Sequence, residues 1–181
     1  MMAVIQQLYP LSSRIEYRLV GSAAAVLRGA AFPAADIDIL MKTRADLDTF
    51  AERMSAFRCL DAPAWLAESK QYYANYLVNG AEVGFSTVEI ETDKDWFETY
   101  GPGPWRHFSY VTASVFRVPA AALELHLITE LHRGNTARCD AIIKVLNRNG
   151  CDIALLGRGM AAIKVPLARQ QDILRRVQEE A

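Results

Sequence analysis

The chain has 181 residues and a formal net charge of −1, from 20 Lys+Arg against 21 Asp+Glu. Half of it is apolar and 23% is charged, which suits one soluble domain, or one domain plus a helical annex, with no disulfide or metal staple needed for folding. Collagen-like, low-complexity and disordered classes are excluded, and no global charge draws the chain to nucleic acid or anionic lipid.

Ile15-Glu-Tyr-Arg-Leu-Val20 alternates and is rich in β-formers, which predicts a strand. Gly21-Ser22 opens an Ala-rich helix to Arg28, closed by Gly29. Asp36-Ile-Asp-Ile-Leu-Met41 is a short strand. Arg44 to Phe57 is a helix, because Leu47, Phe50, Ala51 and Met54 fall on one face. Gln71 to Val78 and Glu82 to Glu91 read as strands joined by the hairpin signal Asn79-Gly80. Asp93 to Tyr100 reads as a short helix, and Tyr100-Gly-Pro-Gly-Pro104 as an ordered loop or seam. Phe108 to Val118 is extended. Pro119 suits the first turn of a helix whose stripe is Leu123, Leu127, Ile128 and Leu131. Three more helices are expected over Thr136 to Asn147, Cys151 to Ala162 and Pro166 to Glu179.

The expected architecture is therefore α/β (α+β). A short mixed sheet over 1–118 carries helices on one side, and a helical C-terminal annex over 119–181 packs on it. No run of roughly 18 apolar residues exists, so no membrane helix is expected, and the N-terminus carries no signal-peptide pattern. Cys59, Cys139 and Cys151 form no CxxC pair and, with His107, His126 and His132, no zinc pattern. That usage points to a reducing, cytoplasmic setting.

The chemistry is concentrated in Val20-Gly21-Ser22 and, after thirteen further residues, Asp36-Ile37-Asp38. On a strand, residues i and i+2 share a face, so the two carboxylates stand about 6.5–7 Å apart at the backbone and point the same way. Paired anions at the end of a buried strand repel each other and lose hydration. A divalent cation between them offsets both costs, and Mg²⁺ prefers carboxylate oxygen. Gly21 permits a tight turn, and the helix after it offers free N–H groups to phosphate. Either feature alone is commonly a plain helix cap or a solvated strand end; their order after a strand is what joins them.

That order resembles the nucleotidyltransferase superfamily of polymerase-β-like fold. Its signature is an apolar residue, Gly-Gly or Gly-Ser, roughly 7–13 residues, and then Asp-h-Asp-h, where h is apolar. The length and trailing helices are most similar to its small stand-alone bacterial and archaeal members. The resemblance covers about residues 15–118, and loosely extends to Asn147. It implies transfer of a nucleoside monophosphate from an NTP, with ATP expected, to an acceptor hydroxyl. Asp36 and Asp38 would be the catalytic metal ligands for Mg²⁺, which Mn²⁺ can replace. Gly21 and Ser22 would seat the terminal phosphates, and Arg133 and Arg138 would reach the nucleotide from the C-terminal helices.

A third catalytic carboxylate is expected after the hairpin, where the aligned position is Gly84. Glu82 lies two residues earlier on the same face and is the first substitute. Glu89 or Glu91 would need a bulge, and the remaining alternative is that no third acid exists. The acceptor is open: a small molecule such as an aminoglycoside-like drug, a tRNA end or a protein side chain. The near-neutral charge argues against a large RNA. A homodimer is also open. Gly84 supports a second reading, a catalytically degenerate relative that binds nucleotide or acts as a toxin–antitoxin-type regulatory partner. Arg28, Lys42, Arg44, His126 and the tryptophans Trp65, Trp96 and Trp105 are weaker candidates, for which packing or surface roles are the first reading.

Overall fold

The computed structural model describes residues 1–12, 14–90 and 92–179. The elements in order are α1 (Met2–Leu11), β1 (Tyr17–Val20), α2 (Gly21–Leu27), β2 (Asp36–Met41), α3 (Arg44–Arg53), β3 (Arg58–Leu66), β4 (Gln71–Val78) and β5 (Ala81–Thr87). They continue with α4 (Gly103–Arg106), β6 (Phe108–Ala113), β7 (Phe116–Ala121), α5 (Leu123–His132), α6 (Thr136–Asn149), α7 (Ile153–Ala162) and α8 (Leu167–Gln178). The fold is mixed α/β, as expected. Its sheet is larger than expected, with seven strands in the order β3-β4-β5-β2-β1-β7-β6 among the described residues.

Two strand pairs are parallel, β2 with β5 and β1 with β7; the other four are antiparallel. Ile37, Ile39 and Met41 of β2 face a core built with Val4, Ile5 and Leu8 of α1 and Leu47 and Phe50 of α3. Asp36 and Asp38, of opposite parity, face the other way and are exposed.

A second core lies among α5, α6, α7 and α8 around Leu127, Ile142, Leu156 and Ile173. Helix α2 joins the two: Ala23 and Ala24 belong to the sheet core and Ala25 to the helical one, each at most 3% exposed. Its alanines are thus a packing requirement, because a larger side chain at any of the three would push one layer off the other.

Four expectations are corrected. Residues 93–100 are not a helix; the short helix α4 falls instead inside the Gly-Pro segment, with Pro104 in its first turn. Pro119 lies within β7, opposite Tyr110, and α5 starts at Leu123. The extended stretch 108–118 is a hairpin, β6 and β7. The strand expected to reach Glu91 ends at Thr87.

Candidate active site

Strand β1 ends where β2 carries its carboxylates: Val20 is in register with Asp38. The chain leaves β1 through Gly21 at φ +65°. A Cβ built on Gly21 would lie 3.1 Å from Asp38 Oδ2. The turn therefore needs glycine twice over, for the left-handed backbone and for the close approach to the carboxylate. On the other side of β2, Glu82 is in register with Asp36 and Gly84 with Asp38. Parallel partners share a face, so one edge of the site reads Asp36, Asp38, Glu82 and then the missing side chain of Gly84.

The gap at Gly84 is not empty space. A Cβ there would meet Tyr73 Oη at 3.2 Å and Asp38 Oδ1 at 3.3 Å. Burial pushes the Tyr73 phenol above its ordinary value, and Asp38, Asp61, Glu82 and Asp36 add to the effect, so it remains protonated. Asn75, in register with Gly84, reaches Glu82 Oε2 with Nδ2 at 3.5 Å, while its buried Oδ1 has no partner among the described residues. Crowding of Asp38 between two strands strips water from its carboxyl, and Asp36 and Glu98 add negative charge. Together they push it up to about 6.

The two aspartates supply hard oxygen donors, and the cost of charging Asp38 is what a divalent cation would relieve; the pair fits Mg²⁺. Among the described residues no third His, Cys, Asp or Glu completes a metal-holding group. Glu89 is engaged elsewhere, by Arg44 at 2.7 and 2.5 Å and by Thr87 Oγ1 at 2.5 Å, and its carboxyl is held below the usual range by Arg44 first. Glu91 lies outside the described residues.

Behind the turn is a buried charge chain that the sequence did not announce. Gly21 N–H donates to Glu98 Oε1 at 2.6 Å, and His126 Nδ1 lies 2.9 Å from Glu98 Oε2. Burial works against both charges. The His126 ring, its hydrogen bond and the Gly21 amide nevertheless hold Glu98 below the usual carboxylate range, and Glu98 and Glu130 raise His126. Both shifts favour the charged forms of this pair, and His126 packs in the core rather than facing the cleft.

Glu130, with no exposed surface, faces Arg133 Nη1 at 3.3 Å and Arg138 Nη1 at 3.5 Å. Arg138 also donates to Ser22 Oγ at 2.9 Å and lies over the Phe32 ring at 5.3 Å. Ser22, Arg133 and Arg138, 116 residues apart in the extreme case, thus meet around one helix turn. Helix α5 is buried almost all round, which is why Glu124, His126 and Glu130 are inside along with its apolar stripe. Glu130 stands four residues after His126, and that spacing was the available signal; Glu98, on an irregular segment, gave none.

The other candidates have structural roles. Arg28 donates to Ala24 O, Ser109 Oγ and Ala120 O. Lys42 and Arg18 flank Trp105 at 4.4 and 4.9 Å, and Arg44 covers Trp65 at 4.7 Å. Trp96 packs against Phe97 with the rings tilted by 43°, 3.8 Å between ring centres. Those two, with Glu98, Tyr100, Arg133 and Lys164, line a cavity of about 560 Å³ beside the turn. The cysteines are free, and burial pushes Cys139 to about 11 and Cys151 to about 12, too high for either to act as a thiolate nucleophile.

No family model matches the sequence, and no curated protein resembles it significantly. Solved structures do resemble it. The antibiotic-resistance factor ANT(2″)-Ia, in its complex with adenylyl-2″-tobramycin, aligns over 90% of this chain and 96% of its own, with a TM-score of 0.60 and 12% identity. This chain has a nucleotidyltransferase-like fold. TM1012 from Thermotoga maritima, assigned to the nucleotidyltransferases, aligns over 82% of this chain and 93% of its own, with a TM-score of 0.59 and 16% identity. The lincosamide antibiotic adenylyltransferase LnuA, bound to lincomycin, aligns over 80% of this chain and 98% of its own, with a TM-score of 0.53 and 12% identity. No helix among the described residues is long and apolar enough to cross a membrane.

Proposed function

We propose that the protein is a Mg²⁺-dependent nucleotidyltransferase that moves a nucleoside monophosphate from an NTP, ATP in the first instance, to a hydroxyl of a small acceptor. The observation that carries this reading is the contact of the Gly21 turn with Asp38, a Cβ's breadth from steric conflict at 3.1 Å. It brings a donor-rich turn and a pair of hard anions to one point.

Asp36 and Asp38 would hold the cation. Bound there, it would supply neutralisation of the triphosphate and of the carboxylates. The chain's own contribution is positioning. Ser22, fixed by Arg138, and Arg133 with its 64% exposed side chain present donors to the phosphate tail. In the transfer, the acceptor oxygen bonds to the α-phosphorus and the α–β bridging P–O bond breaks. Pyrophosphate leaves, and the hydroxyl proton passes to Glu82, the acid next along the edge. A small-molecule acceptor is favoured because two of the fold's neighbours are antibiotic-modifying proteins, one solved with adenylylated tobramycin and one with lincomycin. The three free thiols suit a reducing cytosol.

One observation favours a second reading, a nucleotide-binding relative without turnover: Gly84 leaves Asp38 without an acid in register beside it on β5. Calorimetric titration with MgATP, paired with a pyrophosphate-release assay, tests both. The first reading expects binding in wild type, at least a hundredfold weaker binding in Asp36→Asn/Asp38→Asn, and pyrophosphate release when acceptor is present. Binding unchanged by the double substitution overturns it; binding without release across acceptor classes selects the second reading.

A further inference from the structure

Every donor that the nucleotidyl-transfer reading reserves for phosphate is already met by a carboxylate of this chain or tied to one. The Gly21 amide and His126 hold Glu98, at 2.6 and 2.9 Å. Ser22 is held by Arg138, and Arg138 and Arg133 both lean on Glu130. Glu98 reaches this place from the irregular stretch between β5 and α4, not from a helix or a strand, yet it is only 4% exposed. An unpaired carboxylate at that depth is strongly disfavoured. Its retention shows that the surrounding donors form a cage suited to an anion.

The cage has capacity left over. His126, 3% exposed, uses one ring nitrogen on Glu98; its Nε2 has no hydrogen-bond partner among the described residues and is 3.8 Å from Glu130 Oε1. The Arg133 side chain is 64% exposed and borders the 560 Å³ cavity whose walls include Trp96, Phe97 and Tyr100, neighbours of Glu98 on the same segment. A carboxylate with two oxygens satisfies part of this set. An anion with more oxygens and more charge would satisfy it better.

We infer that Glu98 is an internal anion holding the place of the nucleotide's phosphate tail, and that its displacement sets which phosphates the protein accepts. The inference rests on the nucleotidyl-transfer reading and extends it. An incoming ligand must replace a charge-assisted contact to Gly21 and the Glu98–His126 pair before it gains anything. A triphosphate brings enough charge and acceptor atoms to do so; inorganic phosphate, with four oxygens and no tail, does not. Glu98 is therefore a specificity-determining residue, acting by occupancy rather than by contact with the reacting atoms.

Calorimetric titration of the full chain with MgATP and with inorganic phosphate, in wild type and in Glu98→Gln, tests it. Glutamine keeps the length and a carbonyl acceptor for Gly21 while removing the charge. MgATP is expected to bind at least tenfold tighter to Glu98→Gln, and inorganic phosphate to become measurable. Equal or weaker MgATP binding in Glu98→Gln overturns the inference while leaving the nucleotide reading intact. No MgATP binding to either protein overturns both. A measurement on wild type alone guards against a poorly folded variant: saturating MgATP is expected to accelerate amide exchange over residues 96–100, and unchanged protection there overturns the inference.

Discussion

The two sides of the candidate site solve opposite electrostatic problems. On the sheet edge, Asp36 and Asp38 are exposed carboxylates with few partners; Asp38 lies against the Gly21 turn and is bordered by a glycine where an acid was expected. Behind the turn, Glu98, His126, Glu130, Arg133 and Arg138 form a run of alternating charge in which nearly every group has a counter-charge within 4 Å. On the proposed reading, a bound cation would relieve the first side, while the second already pairs its cations with carboxylates from the chain.

If that contrast is right, damage to the interior should be felt as instability and damage to the edge as lost binding. The largest stability effect is expected from Glu130→Ala. Removing a fully buried carboxylate leaves His126 and Arg138 without their shared partner, and breaking such a buried arrangement costs about 3–5 kcal/mol. Chemical denaturation should show a midpoint shift of that size with the slope preserved. A loss under about 1 kcal/mol would mean that Glu130 is solvated and that the interior is not a closed charge network.

A smaller effect of opposite sign is expected on the edge. The Asp38 carboxyl sits at about 6 in the folded protein against an ordinary 3.8. Between those two values the folded state holds the extra proton, so stability falls as pH rises through the window and levels off above it. Asp38→Asn removes this cost. With a chelator present, the variant should melt higher than wild type at pH 7.5, and the gap should close toward pH 4. Because Asp38 is exposed and water screens much of the penalty, about 1 kcal/mol is expected, or roughly 2–4 °C. A variant that melts lower than wild type at pH 7.5 would show that Asp38 is already compensated without a cation.

The same division explains what could be read from the sequence. Strands Asp36–Met41 and Gln71–Val78 have the bounds that their β-forming residues and the turn residues beside them predict. That Gly21 and Asp38 would share one site was expected from the order of the two motifs and the family resemblance, since the residues between them fix no pairing on their own. Helix α1 and strand β3 were not foreseen; β3 is exposed along most of its length, so it lacks the apolar alternation that announces a strand. Pro119 was misread because a proline is tolerated in a strand where its missing N–H leaves no ladder bond unmade, which composition cannot reveal.

Glu98 was invisible because it lies in a loop and acts through contacts 77 and 28 residues away. His126 was read as a packed histidine, and it is one, while Glu130 lay inside an apolar helix whose polar face is buried as well. Only the spacings of Glu130 to His126 and Arg133 are local; Glu98 and Arg138 join the network through tertiary neighbours.

The central claim is that Asp36 and Asp38 exist as a pair to share a cation with a nucleotide. Electron paramagnetic resonance of Mn²⁺ titrated with ATP, with and without the protein, reads that sharing, because Mn²⁺ held by protein and ATP together gives a spectrum distinct from that of MnATP alone. The account predicts one tightly held Mn²⁺ per chain that requires ATP and disappears in Asp36→Asn/Asp38→Asn. Mn²⁺ uptake that ignores ATP, or that survives the double substitution, would contradict it.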